Sequence, residues 1–361
     1  MLTFDETVQF SEEYLAAQGI ALMESVFFDI ETTGFRAGSS HLYLIGAAYR
    51  SENGWTIRQF FARRPQEEAE LLRAFSSFLK PFSVLIHFNG DRFDIPYLRE
   101  KYEQYAIPDP LAGLVSVDLY RDFRPLKKRL SLTHMNQKSL ERYIGLDRED
   151  QYDGGTLINV YRNYCRYEKE DDLKLLLLHN LEDVKGMLSL PSFYAYLHLF
   201  DCDVKTLRAA SEDVPGSAGR KDAVIHFEPG CSLPSPLSAG NAIARIQIKG
   251  SEGLLRLPVL SCVMYYFFPD PANYYYLPEE DRAVHKSVGA YVDREHRRQA
   301  VAQTCYVKKS GCFLPQASPV FSPSFRREYG DPVQWVQQEL VLEADTEQLR
   351  EYLRGFLNLL F

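Results

Sequence analysis

The chain has 361 residues, 45% of them hydrophobic and 25% charged, the proportions of an ordinary folded protein with room for two cores. A net charge of −8 argues against a protein that coats nucleic acid non-specifically, though not against one that grips a strand end through a local basic patch. No apolar run of about 18 residues is present, so no membrane span is expected. The start, Met1 to Glu6, lacks the basic segment and apolar core of a signal peptide, and the six cysteines are scattered with no Cys-x-x-Cys. A cytoplasmic protein with reduced thiols is the expectation.

Residues 6–18 read as a short helix ended by Gly19, an N-terminal helical extension over 1–21. Val26-Phe27-Phe28-Asp29-Ile30-Glu31-Thr32-Thr33-Gly34 follows, an apolar run of strand length that ends in two carboxylates and a turn. Strand side chains alternate between faces, so Asp29 and Glu31 share a face with about 7 Å between their Cα atoms. Two like charges that close resist joint ionisation unless a cation lies between them, and oxygen donors suit Mg²⁺ or Mn²⁺. The alternative is an exposed strand end with a capping acid. Residues 41–49 and 55–62 are β-prone, and Asn53-Gly54 between them is a hairpin signal. Residues 67–79 carry apolar side chains at helical spacing.

Residues 83–88 read as a fourth strand that runs into Asn89-Gly90-Asp91-Arg92-Phe93-Asp94-Ile95-Pro96, with Pro96 suited to the first turn of a helix. Asp94 at that helix start is a second candidate acid, with Asp91 as its competitor and simple capping as the bland reading. Residues 114–119 form the fifth expected strand, followed by helices at 138–144, 156–167 and 171–187. In the last of these, His179 and Asp183 are four apart and share a helical face among Leu175, Leu176, Leu178 and Val184. An Asp among such neighbours must be exposed, paired or metal-bound; the bland reading of His179 is a hydrogen-bonded core histidine. Three hairpin-linked strands followed by two separated by helices describe an α/β domain over 22–200, with a mixed five-stranded sheet flanked by helices.

A polar Gly/Pro segment marks a linker over 201–222, and 223–361 read as a smaller α+β domain of unknown role. Strands are expected at 223–227, 242–248, 253–258 and 259–268, a charged helix at 279–304, a strand pair at 306–314 and a terminal helix at 345–360. Its aromatic runs, Tyr265-Tyr266-Phe267-Phe268 and Tyr274-Tyr275-Tyr276, read as strand core or as base-stacking platforms. Cys305, Cys312, His285 and His296 lack zinc spacing.

Together, Asp29-x-Glu31, Asn89-Gly90-x-x-Phe93-Asp94 and His179-Asn180-x-x-Asp183 resemble the three exonuclease motifs of the DEDD branch of the ribonuclease-H-like superfamily. Over 22–200 the chain is similar to the YprB-type ribonuclease-H-like domain of bacteria. That resemblance implies a ribonuclease-H-like fold and a metal-dependent 3′–5′ exonuclease acting on an RNA or DNA strand end. Asp29, Glu31, Asp94 and Asp183 would hold two Mg²⁺ or Mn²⁺ ions, and His179 would act as general base. Thr33 and Gly34 would hold the terminal nucleotide, with Asn89 near the same pocket. His179 precedes Asp183 by four positions, whereas the histidine subclass usually has five. Arg121, Arg124, Lys127, Lys128 and Arg129 form the densest basic stretch of this half, read as phosphate contact or as a solvated face. The rivals are an endonuclease on the same acids and a non-catalytic nucleic-acid-binding or scaffold protein.

Overall fold

A computed structural model describes the chain except residues 11, 53, 150–153, 215–218 and 220, and divides it into compact units Met1–Leu197 and His198–Phe361. The hairpin residue Asn53 and Asp153, just before the helix at Gly154–Tyr167, lie outside the described residues.

In the first unit the elements run β1 (Leu2–Val8), α1 (Glu13–Ala17), β2 (Ser25–Thr32), β3 (Leu42–Ser51), β4 (Gly54–Phe61), α2 (Glu68–Leu79), β5 (Val84–His87) and α3 (Asp94–Gln104). They continue with β6 (Val115–Asp118), α4 (Leu119–Phe123), α5 (Leu126–Arg129), α6 (Gln137–Tyr143), α7 (Gly154–Tyr167), α8 (Glu170–Ser189) and α9 (Tyr194–Phe200), in which the unit boundary falls. One sheet has the order β1-β4-β3-β2-β5-β6, with β2, β5 and β6 parallel and the remaining pairs antiparallel.

The sheet has six strands, not five, because the N-terminal segment is largely not helical. Leu2–Val8 pairs along β4, Leu2 and Phe4 pack against the core, and Asp5 receives two 2.7 Å hydrogen bonds from Arg58 opposite. Cross-strand pairing outweighs helix propensity there, and helix survives only at Glu13–Ala17, where Gly19 ends it at φ +67.

Period-two alternation on β2 sorts its side chains. Val26, Phe28 and Ile30 enter a core with Leu71, Phe75 and Leu98 of α2 and α3, which leaves Asp29 and Glu31 on the other face. On that face α8 lies across β2 and β3, and Leu176 joins Tyr43, Leu44, Phe61, Leu157 and Tyr161 in a second core. Gly46, opposite Asp29, lets α8 approach: a Cβ there would fall 2.2 Å from Asn180 Oδ1. The buried Asn180 is satisfied by Gln59, whose Nε2 donates to it at 3.0 Å, and itself donates to Asp29 at 3.3 Å.

The second unit is mostly β. Residues expected as linker form β7 (Val204–Asp213) and the start of β8 (Lys221–Pro229), paired antiparallel; Val204–Asp213 is an edge strand, largely exposed and with a register shift near its start. With β9 (Leu237–Gly240), β10 (Arg245–Lys249) and β11 (Glu252–Pro258) they make a sheet ordered β7-β8-β11-β10-β9. The charged helix expected at 279–304 is absent. Instead β12 (Leu260–Phe267) is followed by a small sheet of β13 (Tyr274–Leu277), β14 (Arg282–His285) and β15 (Arg298–Gln299). Val284, Val288, Tyr291 and Val292 recur at helical spacing, but Val288 and Tyr291 stand exposed while Val284 pairs with Tyr275 and Arg298 with Tyr276 across strands, so pairing overrides the pattern. The strand pair expected at 306–314 is one strand, β16 (Tyr306–Gln316), between β12 and β17 (Gln334–Gln337). The aromatic runs flank this core: Phe268 stacks on Tyr274 with centroids 4.4 Å apart. The terminal helix spans Thr346–Leu360, opened by an Asp345 capping box.

Candidate metal centre

Three segments deliver acids to the β2 face under α8. The end of β2 supplies Asp29 and Glu31, the start of α3 supplies Asp94, and the middle of α8 supplies His179 and Asp183. His179 Nε2 lies 3.2 Å from Asp183 Oδ2 and 3.5 Å from Glu31 Oε1, and ligand atoms of these three residues all lie within 4.8 Å of one another. Burial pushes the Asp29 carboxyl well above the ordinary range, and the neighbouring charges of Asp183, Glu31 and Asp94 push it further. Burial likewise pushes Asp94 up to about 7, against backbone N–H groups that hold it down.

Asp94 therefore belongs to the cluster, and Asp91 does not. Ser116 donates to Asp91 Oδ1 at 2.6 Å and Arg121 donates to Oδ2 at 2.7 Å. Behind that pair, the Gly90 N–H donates to His87 Nδ1 at 3.0 Å, so His87 Nε2 faces Ser116 Oγ at 2.7 Å as the donor nitrogen. Burial lowers the His87 pKa and keeps the ring neutral. Asp118 at the end of β6 accepts from the Asn89 N–H at 2.8 Å and caps α4. This network fixes the turn, with Asn89 at φ +64, and aims Asp94 at the sheet edge.

Thr33 and Gly34 lie in the loop after β2. Thr33 exchanges hydrogen bonds with His41, at 2.9 and 2.8 Å, and the Gly34 carbonyl accepts from Thr32 and Ser40. Beside that loop, Phe35, Arg36, Arg92, Phe93 and Tyr97 line a cleft of about 500 Å³. Phe35 is 89% exposed and meets the Phe93 ring edge-on at 6.0 Å. Arg124 and Lys128 stand exposed and Arg129 is half-buried on the short helices after β6; the acidic cluster is built without them.

Two participants had no role assigned from the sequence, Asn180 being quoted only as part of a motif. Asn180 docks α8 on Asp29, and Gly46 in mid-strand was the available signal for that close approach. Arg148 donates to Asp183 from a segment with no periodicity to mark it.

The donor set fits divalent ions: mostly carboxylate oxygens, where burial first and mutual repulsion second raise the Asp29 carboxyl, a cost that a bound cation would offset. Residues 26–193 match the RNase_H superfamily, and this part of the chain is a ribonuclease-H-like domain. Over 222 residues the chain is 30% identical to the uncharacterized protein YprB of Bacillus subtilis (strain 168), covering 59% of this chain and 51% of that one. The two matches support a YprB-type ribonuclease-H-like protein, and the chain spans about half the length of this relative. A looser structural likeness links it to the family B DNA polymerase of the hyperthermophilic archaeon Pyrobaculum calidifontis. The TM-score is 0.38 with 15% identity, over 71% of this chain and 38% of that one, too loose to bear on function.

Proposed function

We propose that the chain is a divalent-metal-dependent nuclease that removes nucleotides from single-stranded RNA or DNA in the 3′–5′ direction. The observation that carries this reading is the approach of Glu31, His179 and Asp183 to within 4.8 Å of one another, with Asp29 near enough to feel the charges of Glu31, Asp94 and Asp183. Those four acids would hold two Mg²⁺ or Mn²⁺ ions, which when bound neutralise charge on the attacking and leaving oxygens of a phosphodiester displacement. Asp94 is buried and Asp29, Glu31 and Asp183 are partly buried, which limits the screening of that charge by bulk water. His179 Nε2, between Glu31 and Asp183, takes a proton from the attacking water once those carboxylates are otherwise engaged. The Phe35–Phe93 cleft offers aromatic faces to a terminal base beside Thr33, Gly34 and Asn89. Arg124, Lys128 and Arg129 would meet phosphates upstream. The scattered, free cysteines support a reducing, cytoplasmic setting for this activity.

One observation favours a second reading. Asp183 is already paired with an arginine, as it would be in a fold that binds strands without cutting them. End-labelled RNA and DNA strands incubated with Mg²⁺ or Mn²⁺ decide between the two. A single-nucleotide ladder from the 3′ end, absent in EDTA and in a folded Asp29→Asn variant, is the expected result. Internal cuts would make the protein an endonuclease, and retention of intact strands would support the binding protein.

A further inference from the structure

Arg148 brings a fixed positive charge to the acidic cluster, on a mount built to hold it. Its side chain is 10% exposed, and Nε and Nη2 donate to the Glu141 carboxylate at 2.5 and 2.6 Å. Nη1 donates to Asp183 Oδ1. Glu141 is itself 1% exposed, and Gln137 Nε2 donates both to Glu141 Oε1, at 2.9 Å, and to the Asp183 carbonyl, at 2.6 Å. Gly186 leaves the space that Glu141 fills, since a Cβ there would fall 2.0 Å from Oε1. The next residue ties the segment to α8, with the Glu149 N–H donating to Glu182 at 3.0 Å.

This geometry separates two functions of one guanidinium. Two of its nitrogens neutralise the buried Glu141, and that pairing persists whatever happens at Asp183. The third nitrogen reaches Asp183 Oδ1, while Oδ2 faces His179. A cation that binds Asp183 must therefore displace Nη1 or share the carboxylate with it at close range, and either weakens that cation. Asp29 instead accepts from the neutral Asn180 amide at 3.3 Å, a longer and weaker bond, so an ion drawn to that acid meets less competition.

We propose that Arg148 is an internal competitor for the divalent ion at Asp183. It occupies that carboxylate when the ion is absent and makes the two ions bind stepwise, with the one at Asp183 weaker. Arg148 is on this account a positioning residue that sets the ion concentration at which the centre is complete. The proposal rests on the metal-centre reading above.

Calorimetric titration of the full chain with Mn²⁺ alone, with bound Mn²⁺ counted by electron paramagnetic resonance, tests it without reference to activity. The wild type should show two classes of site, the weaker looser by at least about tenfold, the scale on which groups around a metal tune its affinity. Arg148→Gln should tighten the weaker class by about tenfold and change the tighter one much less, since Arg148 reaches Asp29 only through its charge, and Arg148→Lys should fall between. Because Arg148→Gln strands the buried Glu141, the double variant Glu141→Gln/Arg148→Gln, which removes both charges, serves as the folded control. Unchanged weak-site affinity in a folded variant, or two equal sites in the wild type, overturns the proposal. Absence of Mn²⁺ binding in every variant overturns the metal-centre reading itself, and the competition with it.

Discussion

Asp94 is a carboxyl that the fold holds where a charge is poorly solvated. Its pKa is raised from 3.8 to about 7, so the native state keeps a proton that the unfolded chain releases as pH rises through 3.8. The stabilisation from that proton is fully present below 3.8 and is lost as pH rises through about 7. The metal-free protein should therefore melt at lower temperature at pH 8 than at pH 5.5. Asp94→Asn should flatten that slope and raise Tm at pH 8, by about 2–4 °C for each kcal/mol regained, while abolishing turnover. Added Mn²⁺ should stabilise the wild type more at pH 8 than at pH 5.5, because the ligands must be deprotonated to bind it. A calorimetric pH series with and without Mn²⁺ reads all three. His179→Ala should lower turnover by about 10²–10⁴-fold with strand affinity little changed, if the imidazole accepts the proton of the attacking water. Full turnover in a folded His179→Ala protein would remove that assignment and leave the acids standing. Period-two spacing was enough to put Asp29 and Glu31 together, and i,i+4 spacing enough for His179 and Asp183. Spacing could not choose between Asp91 and Asp94, because that choice depends on Ser116 and Arg121, which reach the turn from another strand and helix. Arg148 was illegible for a similar reason: Asp183 is distant in sequence, and Glu141, though near, lies on α6 outside any regular spacing with it.

At the level of elements, the loop that carries Thr33 and Gly34 is anchored by a buried ion pair. Lys101 of α3 and Glu68 of α2 are 1% and 0% exposed and lie 2.9 Å apart. Lys101 also donates to the Ser40 carbonyl at 2.6 Å, and Glu68 accepts from the Leu42 N–H at 2.7 Å and the Tyr105 hydroxyl at 2.8 Å. Two helices thereby fix both chain segments where the loop rejoins β3. Lys101→Met should cost about 3–5 kcal/mol, because it leaves Glu68 charged and buried without its partner, and denaturant unfolding would measure it. Substitution of both residues by apolar ones should cost much less, and equal losses in the single and double variants would refute the account. None of this was visible from local pattern, since a buried Lys looks like any other Lys in an amphipathic helix. The elements that were legible are those whose signal is local: β2, β5, α2, α8 and the terminal helix. Leu2–Val8 was misread because its conformation comes from β4, remote in sequence, and the segment from 279 to 304 and the expected linker because each pairs with a neighbouring strand that its own pattern does not announce.

Across the whole molecule, a net charge of −8 means that any binding of a nucleic-acid strand, as proposed, must depend on local cations. Neutralising Arg124, Lys128 and Arg129 together should weaken binding of single strands and reduce the slope of log K against log salt by about two, at roughly 0.7 for each phosphate no longer neutralised. Fluorescence anisotropy across a salt series would measure it, and an unchanged slope would mark that stretch as a solvated face. The order in which the acids occur along the chain has a consequence for synthesis. Asp29 and Glu31 come early, Asp94 next, and Asp183 on a helix that ends at Ser189. A polypeptide elongating from its N-terminus can pair its first strands while α8 is still unmade, but its acidic cluster stays open until that helix has left the ribosome and settled over Gly46. The centre is thus one of the last features of this unit to exist, and every shorter nascent chain lacks Asp183 and the arginine pairing that guards it.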